Sequence, residues 1–549
     1  MKYKQVDYKP IINKSNLRLS NLPDPTLMKG AVEASKIITK HILNKSKVIL
    51  VTDYDADGVS SAAVLHRSFR DYFDYPTEDF TVLVNERIHG NGVNDYLKNV
   101  MLHMYEEDYR LIITADHGSA DDVRFQELKA IGYEIIVTDH HLIPKTGNPN
   151  VDAFVNVQQE GCQYGNYVSG CVVATVVMWL THNELIKRNY PIKKKDNMFS
   201  LLPFSTLTTL SDQMDSRQLT NRIFISVGLK EMNSTKDPVW RAAKVAFTAS
   251  LQIREDDIGF GIAAHVNAAG RMGTAYEAYL YLISENDNEA INNLRKLVEL
   301  NKERKALQTK LMATAKVGVK LHSQLYKNSV VVVLNDEQAH GVGGIIAGQI
   351  AESKQLPTVV FSADGDHLVG SARGGIENFD ASLALEDIKK ELGTDFIGGG
   401  GHKAVFGCSI KRTGLTKFME TFNNSVITQV GKIKTISEME YNTLIHNNDV
   451  HVGLVETIES YGPFGNYYKK PIFKSTFILH SYKKLKGGHV LGQMLNDCYK
   501  KISFFYMYGS DKYKYNQGDK IEVLFTPSIS SFNGSYNLKL NIKQIRKEN

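Results

Sequence analysis

The sequence predicts an α/β protein: two alternating α/β units joined by one long helix and followed by a small β-barrel. Three observations predict it. Strand-length apolar runs alternate with helix-length segments and end in acidic or histidine-containing motifs, at Val48–Val51, Leu111–Ala115 and Ile135–Thr138. Residues 286–326 contain no proline and carry apolar side chains at helical spacing. Beyond residue 430 the chain switches to short aromatic and β-branched runs broken by Gly and Asn.

In chain order, residues 1–45 read as an irregular arm and a helix, Met28 to Leu43. The three apolar runs are buried strands, with helices between them from about Ser60 to Tyr72 and Ala120 to Ile131. Such alternation gives a parallel sheet covered on both faces. Residues 286–326 place Ile291, Leu294, Leu297, Val298, Leu307, Leu311 and Ala315 at helical spacing, with Gly318 the one glycine. The second unit has a strand at Val330–Leu334, a helix after Gly343 and a strand at Thr358–Phe361, and closes near Gly398–His402. The expected domains are therefore 1–285, a connecting helix over 286–326, 327–429, and a β-barrel or sandwich over 430–549, whose runs include Phe477–Leu479 and Ile521–Phe525.

At 549 residues, 42% hydrophobic and 23% charged, the chain has the composition of a multidomain soluble protein. No apolar stretch reaches the ~18 residues that span a bilayer, and Met1–Gln5 does not open an apolar leader, so a cytoplasmic location without a membrane partner is expected. Cys162, Cys171, Cys408 and Cys498 form no CxxC pair and read as free thiols. The net charge of +5 is small for this length, but its distribution is informative. Lys469, Lys470, Lys483, Lys484, Lys486, Lys500, Lys501 and Lys543–Lys547 are interleaved with Tyr467, Tyr468, Tyr482, Phe504–Tyr506, Tyr513 and Tyr515. Cationic side chains between stacking rings suit a single-strand binder, although a lysine-rich β surface looks similar.

The chemistry is carried by Asp53, Asp55 and Asp57, which alternate after the first apolar run. Residues two apart on a strand face one side, so the carboxylates repel unless a cation sits among them. A solvated acidic turn is the competing reading. It weakens because the second run ends in Asp116-His117-Gly118 and the third in Asp139-His140-His141, also at carboxyl ends, where ligands of parallel sheets bind. Aspartates with one or two histidines and no thiolate favour two divalent ions, Mn²⁺ or Mg²⁺, over structural zinc. Two such ions bridged by a carboxylate clamp a phosphoryl group for in-line attack by activated water. The residues alone thus point to a two-metal phosphohydrolase.

On these motifs the chain resembles the DHH phosphoesterase superfamily, named for the triplet found here at 139–141, and within it the RecJ-like single-stranded-DNA-specific 5′→3′ exonucleases. The resemblance implies Asp55, Asp57, Asp116 and His140 as metal ligands, with Asp116 bridging and Asp53 at least a close neighbour. It implies Asp139 behind His140, and His141 near the scissile phosphate. The fourth motif falls in Leu210-Ser211-Asp212-Gln213-Met214-Asp215 and implies Asp212 as the last ligand, with Asp215 the competitor. Arg271, in Asn267–Met272, and Arg87, in Val84–Gly92, are implied phosphate contacts; Asn91 stands where the family carries Tyr. An arginine capping a helix end is the alternative for Arg271.

The second α/β unit resembles the DHH-associated domain through His340–Ile345, Gly370–Gly374 and Gly398–His402. The resemblance implies that Ser371 and Arg373 hold the 5′ end, and that Gly400, Gly401 and His402 line the cleft opposite the metals. Tyr461–Gly465 resembles the lead-in to the family's oligonucleotide-binding (OB) fold, and Gly487–His489 and Gly534–Tyr536 its later turns.

The expected function is a metal-dependent 5′→3′ exonuclease that converts single-stranded DNA to 5′-mononucleotides in repair, recombination or replication. It would act as a monomer, with a helicase or single-strand-binding protein as possible partners. The alternative is a DHH-type phosphodiesterase for short RNA or cyclic dinucleotides, against which residues 430–549 argue. A non-catalytic strand-binding subunit is disfavoured by the retained ligands. A pyrophosphatase is disfavoured because Val51 stands where that motif has His.

Overall fold

The computed structural model describes residues 2–11, 16–196, 198–248, 251–376, 378–431, 438–485, 488–507, 509, 515–532 and 535–548. Lys486, Gly487, Tyr513 and Gly534 lie outside the described residues.

A short N-terminal strand, β1 (Lys2–Gln5), precedes the first sheet, which comprises β2 (Lys47–Thr52), β3 (Phe80–Val84), β4 (Tyr109–Ala115), β5 (Glu134–Asp139) and β6 (Ala153–Asn156). All pairings are parallel, in the order β3-β2-β4-β5-β6. Alternation sends successive side chains to opposite faces. Val48 and Leu50 enter one core with Leu111, Ile113 and Ile136, whereas Ile49 and Val51 enter another with Ile112, Ile135 and Val137. Both faces are dry, which is why these strands read as continuous apolar runs rather than alternating ones. The chain leaves β2 for β3 on one side and returns to β4 on the other, so the direction of winding reverses between β2 and β4. A crevice opens at the carboxyl ends of strands at such a reversal.

The first crossover helix is Ala56–Arg67, continued by a wider turn over Ser68–Tyr72. It begins four residues earlier than Ser60, where the periodicity placed it, because Asp55 caps it by accepting from the Asp57 and Gly58 amides. The long helix spans Asp287–Leu325, 39 residues, or roughly 58 Å at the helical rise. Leu294 and Leu297 are buried in the core of the first unit, Leu311, Ala315 and Val319 in that of the second. One rigid rod anchored in both cores sets how far apart the two units stand.

The second unit contains β7 (Val330–Leu334), β8 (Thr358–Asp364), β9 (His367–Arg373), β10 (Phe396–His402) and β11 (Val405–Lys411), ordered β10-β11-β9-β8-β7. Only β7–β8 is parallel, and the glycine-rich β10 is an edge strand. After β12 (Glu438–Tyr441) come β13 (Thr443–Leu444), β14 (Phe473–Lys484), β15 (Val490–Leu495), β16 (Lys501–Tyr506), β17 (Lys520–Phe532) and β18 (Ser535–Lys547). Pairing of β14 with β17 closes β14-β15-β16-β18-β17 into a five-stranded barrel, packed around Phe477, Leu479, Phe504, Val523 and Leu540.

The arm that the sequence leaves irregular contains β1, which pairs in parallel with β12. Polar Lys2–Gln5 has no apolar alternation to announce a strand; the partner and the Arg546 guanidinium, 4.1 Å from the Tyr3 ring centroid, supply its reason to order. Among the described residues no helix is long and apolar enough to cross a membrane.

Candidate metal centre and phosphate cleft

Asp53, Asp116 and His140 follow β2, β4 and β5. These strands are adjacent, so residues spread along the chain meet at one sheet edge. The three aspartates of the first motif do not converge by strand alternation, as the sequence reading had it. The strand ends at Thr52, Asp55 caps the following helix, and Asp57 lies in its first turn. A tight strand-to-helix turn does the converging. A Cβ on Gly58 would fall 2.2 Å from the Asp53 carbonyl oxygen, so only glycine lets the helix start this close.

The His140 Nε2 atom lies 3.2 Å from an Asp116 carboxylate oxygen and 3.6 Å from one each of Asp57 and Asp212. Three overlapping sets of donor atoms lie within 4.8 Å of one another: Asp53, Asp55 and Asp116; Asp57, His140 and Asp212; and Asp116, His140 and His141. Asp212 caps the end of helix Leu202–Ser211. Its competitor Asp215 is turned away, holding Arg217 through contacts of 2.8–3.2 Å.

Electrostatics show what this cluster is suited to hold. Burial, then the charge of Asp55, raises Asp53 to about 6 and Asp57 to about 7. Burial and the neighbouring carboxylates raise Asp116 and Asp212 far above the ordinary range. One oxygen each of Asp53 and Asp116 is buried without a hydrogen-bond partner. Burial, then the charge of His141, lowers His140 to about 4, leaving a neutral imidazole able to ligate. Crowded carboxylates with orphaned oxygens beside a neutral imidazole, and no thiolate, fit one or two hard divalent cations.

The remaining sequence-derived residues surround this cluster. Asp139 stands behind it: its oxygens accept from the His140 and His141 amides, from His141 Nδ1 at 2.8 Å and from the Ser119 amide at 3.1 Å. Burial opposes the Asp139 charge, but the hydrogen bond and positive charge of His141 hold its carboxyl far below the usual range. Burial likewise opposes the His141 charge, yet Asp139 raises it to about 10. The His141 side chain is 57% exposed, so it stands at the mouth with Nε2 uncommitted.

Arg271 ends helix Ala263–Arg271 and reaches the second unit through Nη1 to the Gly341 carbonyl, 3.0 Å. Burial, then the charge of Arg87, lowers Arg271 to about 10, and the same two causes lower Arg373. Three guanidiniums thus sense one another across the boundary between units. Arg373 packs against Gly344, where a Cβ would fall 2.7 Å from its Nη2. Burial, then the charges of His141 and Arg373, lowers His402. Ser371 is half-buried on β9, whereas Gly400 and Gly401 are exposed on the edge strand.

Sequence reasoning missed several supports. The Gly170 and Cys171 amides, at the start of helix Gly170–Lys187, donate to both oxygens of Asp57 at 2.7 and 2.9 Å. The apolar run after Ser169 signals that helix, but not what its amino end would meet. Asn267 accepts from the Ala56 amide at 2.9 Å and braces the metal turn. Tyr54 provides a ring near the position where Asn91 replaces the family's tyrosine: Arg87 lies 4.4 Å over it, and Asn91 accepts from its hydroxyl.

Gly170 yields a direct prediction. A Cβ there would fall 2.6 Å from Asp116 Oδ1 and 2.9 Å from its Cα. Gly170→Ala should therefore displace Asp116 and weaken Mn²⁺ binding at least about ten-fold by titration calorimetry, with helix content unchanged because alanine is the better helix former. Unchanged affinity would show that Asp116 is not held where the metal needs it.

The chain matches profiles of three domains in series: the DHH family N-terminal domain over residues 47–202, the DHHA1 domain over 327–428 and the RecJ OB domain over 441–544. Along most of its length the chain is thus similar to RecJ-like proteins of the DHH family. It is 25% identical over 487 residues to the single-stranded-DNA-specific exonuclease RecJ of Haemophilus influenzae, covering 87% of this chain and 82% of that one. Against the Bacillus subtilis exonuclease of the same name, identity is 25% over 530 residues, 95% of this chain and 64% of the relative. In architecture it is similar to the crystal structure of Thermus thermophilus RecJ in complex with Mn²⁺ (TM-score 0.75, 20% identity, 100% of this chain and 80% of that one). This likeness shows the fold, barrel included.

Proposed function

We propose that this chain is a metal-dependent exonuclease that hydrolyses single-stranded DNA from its 5′ end to 5′-mononucleotides, in DNA repair, recombination or replication. One observation carries the reading: five buried or half-buried aspartates gather around His140, with Arg271 within electrostatic reach of both Asp55 and Arg87, in a chain that also carries an OB barrel. The names of the relatives, single-stranded-DNA-specific exonucleases, support the same substrate.

Asp53, Asp55, Asp57, Asp116, His140 and Asp212 would hold two Mn²⁺ or Mg²⁺ ions, which when bound would supply an activated water and neutralise charge on the phosphoryl group. The protein's own groups do the rest. Asp139 keeps the His141 ring oriented and charged, so that Nε2 can donate to a phosphoryl oxygen. Arg271 offers a planar donor set to the same phosphate, while Arg87, Ser371 and Arg373 would hold the 5′ terminal phosphate. Gly400, Gly401 and His402 would form the opposite wall, admitting one strand and excluding a duplex. A monomeric state belongs to the same proposal. We further propose a cytoplasmic location and strand supply by a helicase or single-strand-binding protein.

The test uses Mn²⁺ and a long 5′-phosphorylated single strand labelled at either end. Early release of mononucleotide from the 5′ label, with duplex intact, is the expected result. Cleavage of dinucleotides alone would transfer the chain to the short-substrate phosphodiesterases.

A further inference from the structure

The turn after Asp212 is clamped by the lead-in to the barrel. The Asn466 side chain donates to the Leu210 carbonyl at 3.1 Å, the Ser216 amide donates to the Asn466 carbonyl at 3.0 Å, and a Cβ on Gly465 would fall 2.0 Å from Ser216 Oγ. Buried Arg222 donates to the carbonyls of Tyr461, Gly462 and Pro463. The route from the metal cluster to the barrel therefore runs past residues 212–217 and 463–468.

Tyr467 stands out on that route. Its φ is +63°, a left-handed conformation that suits Gly or Asn and is costly for a bulky aromatic residue. The ring is nevertheless 66% exposed, so it gains little from burial. The Arg217 guanidinium lies 5.5 Å from its centroid and is itself locked by the forked contacts to Asp215. The result is an aromatic ring with one face backed by a fixed cation and most of its surface open to solvent. Every base has a π-face, and stacking on an aromatic side chain is tolerant of sequence.

We propose that Tyr467, backed by Arg217, is a nucleobase-stacking subsite that receives the strand on the 3′ side of the cleavage point, between the metal centre and the barrel. The inference rests on the single-strand reading above. A strand held at its 5′ end by the arginines and gripped here would be kept taut across the scissile phosphate. A dinucleotide would be too short to reach.

The variant that tests it is Tyr467→Gly, because glycine removes the ring and suits the left-handed backbone. Its melting temperature should equal or exceed that of the parent, so any loss of binding is not a folding defect. Anisotropy titration of a labelled long single strand, in EDTA so that cleavage cannot intervene, should show affinity reduced about ten-fold. Tyr467→Phe should restore it, since the ring and not the hydroxyl stacks. Dinucleotide cleavage in Mn²⁺ should be unchanged in Tyr467→Gly. Equal affinity of parent and variant for the long strand would overturn the proposal, as would equal losses on long and dinucleotide substrates. A parent that binds single strands without cutting them would refute the exonuclease reading while leaving this subsite testable by the same titration.

Discussion

Asp116→Asn is expected to abolish cleavage, by at least about a thousand-fold, while leaving single-strand binding within a factor of two or so. Asp116 follows the central strand β4 and contributes to two of the three donor sets, so losing its charge affects both candidate ion positions. Asparagine is the informative replacement. Asp116 has φ +64°, which Asn tolerates and Ala does not. The variant keeps the shape and removes one negative charge from a buried cluster that raises each member's pKa. In EDTA it should therefore melt at or above the parent temperature, the pattern of a site that trades stability for function. Full activity would sink the site assignment, and a large drop in melting temperature would mean that Asp116 is structural.

The second large effect is the coupling of metal, pH and stability. Asp53 and Asp57 are raised to about 6 and about 7 in the metal-free fold. An unfolded Asp titrates near ~3.9, so between about pH 4 and 7 the folded chain binds protons that the unfolded chain has lost. Stability falls with rising pH wherever the native state holds more protons, so these groups weaken the metal-free protein as pH climbs through that window. Divalent ions reverse the sign, because they bind the deprotonated carboxylates and displace those protons. The melting-temperature gain on replacing EDTA with saturating Mn²⁺ should thus be small at pH 5 and grow to pH 8. At a thousand-fold excess over Kd the stabilisation would be about 4 kcal/mol. His140, lowered to about 4, is neutral in the fold from pH 5 to 8 and so loses no proton to the ion. In the metal-free protein it works against the carboxylates up to about pH 6.5, where the unfolded His is still protonated, a contribution that cancels in the gain on adding Mn²⁺. A gain independent of pH, read by scanning calorimetry, would mean that the carboxylates are not the ligands.

Much of the site was legible because its residues report local chemistry. Asp53, Asp116 and His140 directly follow apolar strands of a parallel sheet, and such sheets bring strand ends together whatever the intervening sequence, while Asp55 and Asp57 lie in the tight turn and helix start just beyond. Asp212 was harder, because it ends a helix and its sequence neighbourhood offers Asp215 equally; in the structure Asp212 lies 3.6 Å from His140 Nε2, whereas Asp215 pairs with Arg217. Tyr54 and Asn91 were read separately, since no local pattern announces that one ring would lie under Arg87.

By itself the sequence determined the two α/β units, the long helix, the barrel and the residue types of a two-metal site. Periodicity and strand-end placement are set within a few residues, and local propensity expresses them directly. The tertiary structure decided what depends on distant backbone. Two helix amides grip Asp57, Gly341 receives Arg271 across the unit boundary, the N-terminal strand finds β12, and the Asn466 loop clamps the turn beyond Asp212. Such contacts join partners far apart in the chain through carbonyls and amides common to every residue, and so leave no compositional trace.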